Sequence, residues 1–308
     1  MASTHSLQET LEFLAVDAMR RVMRRLPLPW VRGIARSLAT VVYALGFRRA
    51  VTLDNLAHAF PSMPDAARRE VALGAYRNYT TTILELLWTS GKSRERLTEL
   101  VDIPDRSVID RLLARGRGLV MVSGHFGGWE LLHSSVFPKL GILIAFFVQR
   151  QRNGRIDALF EELRGRFGNQ TIPMGVSARQ AVQVLRDGRV LAGLGDQSGP
   201  KEAAFVPFFG RPAATHRGMA AFALKMGAPM IMVAPVRRPD GGYTVLMEEV
   251  DLAGLDSASE ENIVELTRRH TALLESWIRR TPDQWLWMHK RWKHTDWYRS
   301  QNPPAAPR

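Results

Sequence analysis

The amino-acid sequence predicts an α/β domain in which helices flank a central, mostly parallel sheet. Short apolar runs of strand length, such as Leu119–Val122 and Val190–Leu194, alternate along the chain with longer segments of helical periodicity. Because helices separate most of these runs, the strands can all point the same way, as they do in parallel sheets. Polar residues also follow several runs directly, at the sheet edge where α/β proteins bind ligands.

Two basic amphipathic helices are predicted within residues 1–50. The first has an apolar stripe, with arginines beside it at 20, 21 and 24, formed by Leu7, Leu11, Leu14, Ala18 and Val22. Pro27 and Pro29 interrupt the pattern before the second helix, whose apolar face contains Ile34, Leu38, Val41, Val42 and Leu45. Helices of this kind lie in the headgroup layer of a membrane or cap a protein core, and both interpretations stay open.

The remaining elements follow from the same periodicities. Helices are predicted within 65–115 and over 155–167, 176–186, 217–226 and 259–280. Strands are predicted over 119–122, 142–148, 190–194, 230–236 and 243–250, the last two forming a hairpin through Asp240-Gly241-Gly242. Residues 51–300 therefore form the main domain. The proline-rich tail, 301–308, is expected to be disordered.

Charge and composition narrow the class of protein. The 308 residues include 42 Lys and Arg against 30 Asp and Glu, and this net charge of +12 suits an anionic partner: nucleic acid, anionic lipid or an acidic carrier protein. The absence of cysteine excludes disulfides, thiolate metal sites and a cysteine nucleophile. We see no secretory signal and no apolar run of about 20 residues. We therefore expect a cytoplasmic protein that lies on a membrane without crossing it.

The candidate catalytic residues are His125 and Glu130. His125 follows a predicted strand on a turn rich in glycine, where Gly124, Gly127 and Gly128 leave room for a ligand near the backbone. Glu130 begins a helix, and its carboxylate can fold back onto one imidazole nitrogen while the other nitrogen takes a proton from a hydroxyl. The spacing also fits a structural histidine at a tight turn, with Glu130 as a favourable charge at a helix N-terminus.

The motifs that the chain lacks restrict the chemistry. There is no Gly-x-Ser-x-Gly elbow and no cysteine, so a covalent acyl-enzyme is disfavoured and the nucleophile is expected to belong to the substrate. The pattern of His125, Glu130 and His133 is not a His-Glu-x-x-His zinc motif, and no phosphate-binding loop is present. The Trp- and Lys/Arg-rich segment 285–297 suits stacking on bases, an interfacial belt or a packed final element, but no nucleic-acid recognition motif accompanies it.

Several separate segments of the sequence resemble a known protein family. The segment His125-Phe-Gly-Gly-Trp-Glu130 resembles the His-x4-Asp/Glu motif of the lysophospholipid acyltransferase superfamily, in the form found in bacterial lipid A biosynthesis (late) acyltransferases. Further blocks in family order are similar too: Asn55–Pro61, Gly195–Gln197, Val206–Gly210 and Trp285–Trp292. The resemblance implies a glycerol-3-phosphate-acyltransferase-like fold, with the acyltransferase domain over residues 51–300.

The resemblance also implies an activity that needs no cofactor. A fatty acyl chain passes from acyl carrier protein, or from coenzyme A, to a hydroxyl of a lipid A precursor in lipopolysaccharide biosynthesis, at the cytoplasmic face of the inner membrane. His125 is then the general base and Glu130 orients it. The positions that match the family's substrate-binding residues are Arg150, Arg164, Asp196 and Gln197. The segment around Arg150 lacks the family's usual Tyr-Arg-Pro motif, so Arg152 is an alternative candidate for the substrate-binding arginine.

Other functions remain open at the level of sequence. The same chemistry suits another acceptor, such as a phosphatidylinositol mannoside or an amino-acid lipid. A non-catalytic lipid-binding protein would share the fold, and a hydrolase would use water in place of the acceptor hydroxyl.

Overall fold

A computed structural model describes residues 6–175 and 178–302. The helices are α1 (Leu7–Met23), α2 (Leu28–Ala44), α3 (Arg49–Ala59), α4 (Asp65–Thr89), α5 (Arg94–Thr98), α6 (Ser107–Leu113), α7 (Phe137–Leu140), α8 (Gly154–Gly165), α9 (Ala178–Arg186), α10 (Gly218–Met226), α11 (Glu260–Arg280) and α12 (Thr295–Gln301). The strands are β1 (Val101–Asp102), β2 (Leu119–Ser123), β3 (Ile144–Val148), β4 (Gln170–Pro173), β5 (Val190–Leu194), β6 (Ala204–Phe208), β7 (Arg211–Thr215), β8 (Met230–Arg237) and β9 (Tyr243–Val250). A π-helical turn, Leu132–Val136, precedes α7.

Seven strands form one central sheet in the order β1-β9-β8-β2-β5-β3-β4. Neighbouring strands are parallel throughout, except for the antiparallel pair β8–β9. Strand β2 lies in the middle and is buried along its whole length, as expected of a strand covered on both faces. The predicted α/β class with a mostly parallel sheet and flanking helices is confirmed.

The five predicted strands and the β8–β9 hairpin are all present. The sequence patterns missed β1, β4 and the separate antiparallel hairpin of β6 and β7, because these strands are short or carry polar residues and prolines. The helix predicted over 176–186 is observed as α9 from Ala178, while residues 176 and 177 lie outside the described residues. Helix α12 extends to Gln301, and residues 303–308 of the predicted disordered tail also lie outside them.

The two N-terminal helices have one buried and one exposed face. Helix α2 packs on α4 through buried residues, so part of the N-terminal region caps the core. The opposite faces stay exposed, with Leu7 77% and Trp30 68% accessible. Other apolar side chains share this exposure: Leu11, Leu14, Val22, Ile34, Leu38, Val41 and Leu45. Within residues 6–175 and 178–302, no helix combines the length and apolar character needed to span a membrane.

The loop after β2 packs so closely against the sheet that two of its residues must be glycine. Gly127 has a φ of +60°, and a methyl group there would lie 2.1 Å from the Pro235 carbonyl oxygen. A methyl group on Gly128 would lie 2.4 Å from the Tyr243 ring. The expectation that these glycines make room for a ligand is therefore wrong, because protein atoms already fill the space.

The replacement Gly127→Ala should destabilise the protein by about 2 kcal/mol or more, through both the left-handed backbone and the overlap with Pro235. Gly33→Ala is the matched control, because Gly33 lies within α2 with no atom near its missing side chain. Alanine there should stabilise the helix by about 0.5–1 kcal/mol. Chemical denaturation of the two variants measures both effects, and equal stabilities would contradict this description of the loop.

Candidate active site

The C-terminal ends of neighbouring strands bring the candidate residues together. Strands β2 and β5 are adjacent and parallel, with Ser123 opposite Leu194. The loops that follow them therefore lie side by side, and this brings His125 next to Asp196. Both loops border a cavity of about 680 Å³. His125, Glu130, Arg164 and Gln197 form much of its polar lining, and its apolar lining includes Met121, Leu132, Ile144, Phe146, Phe147, Ala192, Met219 and Phe222.

The Asp196 carboxylate accepts three hydrogen bonds. Its Oδ1 lies 2.8 Å from His125 Nδ1, and its Oδ2 accepts from the His125 backbone N–H at 2.8 Å. The same Oδ2 accepts from the Trp285 indole Nε1–H, also at 2.8 Å. The Asp196 side chain is 1% exposed, so nearly all of its charge is compensated by these donors rather than by water.

This arrangement separates the pKa values of the two partners. Burial alone would raise the pKa of Asp196, but the His125 charge and the hydrogen bonds from His125 and Trp285 lower it to about 2. Burial would lower the pKa of His125, yet Asp196, its hydrogen bond and the charge of Glu130 together raise it above 6.5. The His125 contribution to stability is lost as pH rises through its raised pKa, and the Asp196 contribution is lost as pH falls toward a pKa of about 2. The pair therefore stabilises the fold most between the ordinary pKa values of the two side chains, about 4 and 6.5.

The second ring nitrogen of His125 is on the cavity side. His125 is 20% exposed, and its Nε2 lies 3.3 Å from the Gln197 Nε2 atom. An ionised carboxylate only accepts hydrogen bonds, so in the neutral imidazole Nδ1 carries the proton and Nε2 has a lone pair, which accepts a hydrogen bond from the Gln197 amide. This tautomer can accept a proton from a hydroxyl bound in the cavity.

Glu130 is bound by Arg164 instead of folding back onto His125. Its Oε1 accepts from Arg164 Nη2 at 2.6 Å and its Oε2 from Arg164 Nε at 3.2 Å. The expected hydrogen bond between Glu130 and the imidazole is therefore wrong, because the guanidinium fork matches the carboxylate and Asp196 already holds the ring. Burial opposes the charge of Glu130, but Arg164 outweighs it and the Glu130 pKa is lowered. Glu130 acts on His125 only through its nearby charge.

A second histidine, His133, lies beside this ion pair. Its Nε2 is 3.8 Å from Glu130 Oε2, and its ring stacks on Phe146 with 5.7 Å between the centroids. Burial lowers the pKa of His133 to about 4, so it is neutral near pH 7. It therefore contributes a largely apolar surface to the cavity.

The predicted substrate-binding arginines lie in different places. Arg164 lines the cavity next to Glu130, as described above. Arg150 is exposed on the loop after β3, between two cavity-lining glutamines, Gln149 and Gln151. Arg152 points toward α1, where its Nη2 lies 3.4 Å from the Glu12 carboxylate. Arg150 therefore lies outside the buried cluster formed by His125, Glu130, Arg164, Asp196 and Gln197.

Residues 284–289, which we call the C-terminal strap, contact the loop that carries His125. The sequence patterns did not predict this contact. Phe126 and Trp285 form an antiparallel bridge, and the Leu286 N–H donates to the His125 carbonyl at 3.1 Å. The Asn55 side chain holds the strap from the other side by donating to the Trp287 and His289 carbonyls, each at 2.7 Å. Of the three interpretations of segment 285–297, packing in the interior describes the strap.

In the part of the chain that the structure describes, no group of three or more histidine, aspartate or glutamate side chains is arranged to hold a metal ion. The polar groups at the cavity are instead a carboxylate–imidazole pair, an ion pair and an amide. They suit proton transfer and the binding of polar oxygens.

Fold and site together define an α/β protein with a carboxylate–imidazole pair beside a largely apolar cavity. Residues 2–294 match the model of the bacterial lipid A biosynthesis acyltransferase family. The match covers nearly the whole chain, so this protein belongs to that family and is an acyltransferase. The resemblance found in the sequence motifs is confirmed.

The relatives found by sequence comparison are also named as acyltransferases, at low sequence identity. The chain is 24% identical over 291 residues to the lipid A biosynthesis lauroyltransferase of Escherichia coli, covering 92% of this chain and 91% of the relative. It is 25% identical over 252 residues to the E. coli lipid A biosynthesis palmitoleoyltransferase, covering 80% and 79%. It is also 21% identical over 273 residues to the phosphatidylinositol mannoside acyltransferase of Mycolicibacterium smegmatis, covering 85% and 88%.

The replacement Asp196→Asn should lower the pKa of His125 to below 6.5, because burial is then opposed only by Glu130. The matched control is Glu130→Gln, which should lower the pKa less because the hydrogen-bonded carboxylate remains. NMR titration of ¹⁵N-histidine-labelled protein measures this pKa, with His125→Ala assigning the signal. An Asp196→Asn variant that titrates like the wild type would contradict the assigned pairing.

Proposed function

We propose that this acyltransferase moves a fatty acyl chain from the thioester of acyl carrier protein, or of coenzyme A, to a hydroxyl of a lipid A precursor in lipopolysaccharide biosynthesis. The family supports acyl transfer to acceptors of the lipid A type. The observation that carries the mechanism is the imidazole of His125, which pairs with Asp196 at Nδ1 and presents Nε2 at an apolar cavity. The acyl donor, the acceptor and the residue roles are our proposal.

The chemical step uses the acceptor hydroxyl as the nucleophile. His125 Nε2 takes the hydroxyl proton while the oxygen attacks the thioester carbonyl, and the Asp196 carboxylate stabilises the imidazolium that forms. The tetrahedral intermediate then breaks its C–S bond, the ester remains, and His125 returns the proton to the leaving thiolate. No covalent acyl-enzyme is needed, in keeping with a chain that has no cysteine.

The other polar residues are assigned to binding. Two donors of Arg164, Nε and Nη2, bind Glu130, which leaves Nη1 for a carbonyl or phosphate oxygen of the substrate. Glu130 offsets the charge of Arg164 and adds to the basicity of His125. Gln197, which is next to His125 Nε2, is suited to align the acceptor hydroxyl. Arg150, exposed at the cavity rim, would meet an anionic group of donor or acceptor.

The replacement His125→Ala should reduce acyl transfer by at least about 10³-fold because no other group replaces the base. His58→Ala is a matched control, because His58 lies on α3 and pairs with Asp54 away from the cavity. Purified enzyme, acyl-carrier-protein or acyl-CoA donor, and a lipid A precursor as acceptor give the rate by mass spectrometry of the product. Full activity of His125→Ala with an unchanged fold would refute the proposed mechanism.

The acceptor has a second candidate, because one relative acylates, by its name, a phosphatidylinositol mannoside. The lipids of a strain lacking this protein distinguish the two. A lipid A species short of one acyl chain, restored by the wild-type gene and not by His125→Ala, supports the first acceptor. An under-acylated mannoside lipid supports the second.

The N-terminal helices provide a surface for the inner membrane at its cytoplasmic face, where we propose that the enzyme works. The exposed apolar side chains of α1 and α2 would enter the acyl region, while Arg21, Arg24 and Arg25 would meet anionic headgroups. Helix α1 also contacts the loop at the cavity rim, where the Asn153 side chain donates to the Glu9 carbonyl at 2.7 Å. Membrane docking would thus bring the cavity to the lipid acceptor.

The double replacement Leu11→Ser and Leu14→Ser should weaken binding to vesicles of phosphatidylethanolamine and phosphatidylglycerol about tenfold or more, because it removes two exposed apolar side chains from α1. Leu143→Ser is the control, since Leu143 is exposed to a similar degree outside the N-terminal helices. Flotation assays measure the bound fraction. Equal binding of both variants would exclude α1 as the membrane contact.

A further inference from the structure

The indole of Trp285 is joined directly to the carboxylate of the proposed catalytic pair. Its Nε1–H donates to Asp196 Oδ2 at 2.8 Å, and the side chain is 1% exposed. The indole packs edge-on against Phe208 and Trp287, with centroid distances of 5.3 and 4.6 Å. An N–H held this rigidly can aim at only one acceptor, and that acceptor is Asp196.

The backbone around Trp285 fixes where the indole lies. The strap pairs with the loop that carries His125 through the Leu286 N–H and the His125 carbonyl, and through the Gly127 N–H and the Gln284 carbonyl at 3.0 Å. His289 also contributes, because its Nε2 accepts from the Ser198 N–H at 3.0 Å, two residues beyond Asp196. The strap therefore holds both loops of the pair.

Without Trp285, the Asp196 carboxylate would still be hydrogen-bonded to His125. Its Oδ2 atom would carry more negative charge, and its side chain would be less firmly fixed. Two of its three hydrogen bonds come from His125 itself, one to each carboxylate oxygen. The third, from Trp285, shares the charge of Oδ2 and links the carboxylate to the strap, which is a donor outside His125. A charged acceptor binds such a donor more strongly than a neutral acceptor does.

From this geometry we infer that Trp285 is a positioning residue, whose indole N–H fixes the Asp196 carboxylate and takes up part of its charge as Asp196 aligns the His125 base. The inference rests on the proposed function for its effect on turnover. Its effect on the resting enzyme does not depend on the acyl donor or the acceptor.

The test compares Trp285→Phe with Trp287→Phe. Trp287 is equally buried and packs against Trp285, but its Nε1–H donates to the Pro282 carbonyl at 2.6 Å instead of to Asp196. In Trp285→Phe, the pKa of His125 measured by ¹⁵N NMR should rise, because the carboxylate then gives more of its charge to the imidazole. Turnover near pH 7 should fall about tenfold with the donor KM unchanged. Trp287→Phe keeps an aromatic ring against Trp285 and leaves the bond to Asp196 in place, so it should change both quantities much less.

The Asp196→Asn background separates positioning from general damage to the fold. Adding Trp285→Phe to Asp196→Asn should reduce turnover less than it does in the wild-type background, because the indole then loses only a bond to a neutral amide oxygen. An equal reduction in both backgrounds would overturn the inference. So would a His125 pKa in Trp285→Phe that is unchanged or lowered. Inactive His125→Ala with fully active Trp285→Phe would refute only the role of Trp285, whereas active His125→Ala would refute the proposed mechanism.

A further measurement tests the inference without the Trp285→Phe variant, in case that variant does not fold. In ¹⁵N-tryptophan-labelled wild-type protein, one indole N–H signal should shift over the pH range in which His125 titrates. That signal should persist in Trp287→Phe, and its shift should vanish in Asp196→Asn. If no indole signal follows His125, Trp285 does not share the carboxylate charge and the inference is wrong.

Discussion

The buried carboxylate of Asp196 is the interaction on which the site depends. It joins three parts of the chain that are distant in sequence: the loop after β5, the loop after β2 and the C-terminal strap. A carboxylate removed from water must find donors within the protein, and Asp196 finds them on His125 and Trp285. The bonds from His125 and Trp285 lower the pKa of Asp196 to about 2, and the ionised carboxylate in turn raises the pKa of His125.

Helix α4 supports the loop that carries His125 with a row of buried polar residues spaced one helical turn apart. Asn78 and Thr82 both donate to the Gly127 carbonyl, at 3.0 and 3.1 Å. One turn further on, Glu85 accepts from Arg32 Nε at 2.7 Å and from Arg237 Nη1 at 2.9 Å, and it also binds the Tyr243 hydroxyl. This buried network connects α2 and the β8–β9 hairpin to the helix that holds the loop, so the glycine turn cannot shift without breaking buried hydrogen bonds.

Much of this architecture could be predicted from the sequence, because it follows from local periodicity. Strands β2 and β5 were recognisable as short apolar runs, and their polar ends pointed to His125, Asp196 and Gln197. The partner of each side chain could not be predicted in this way. Glu130 is close to His125 in sequence, yet Arg164 binds it, while Asp196 reaches His125 because β2 and β5 are neighbours in the sheet. Sheet order is a property of the whole fold, and no local spacing encodes it.

The role of the C-terminal strap could not be predicted either, because it depends on contacts between segments that are distant in sequence. Trp285 and Trp287 are apolar and aromatic, and a sequence pattern cannot tell an indole that faces a membrane from one that donates to a buried carboxylate. The family-like blocks around Asn55 and Trp285 gave a signal only by their order along the chain. The structure shows that these blocks are in contact, because Asn55 binds the strap and the strap binds the loop that carries His125.

The most direct test of the central claim, that His125 paired with Asp196 is the base of the reaction, compares two values of one pKa. The pH dependence of kcat/KM reports the essential base of the free enzyme, and NMR titration reports His125 in the same state. If this claim holds, the acidic limb of kcat/KM lies above pH 6.5, coincides with the NMR value and moves to lower pH in Asp196→Asn. A limb that differs from the His125 titration, or that stays in place in Asp196→Asn, would contradict it.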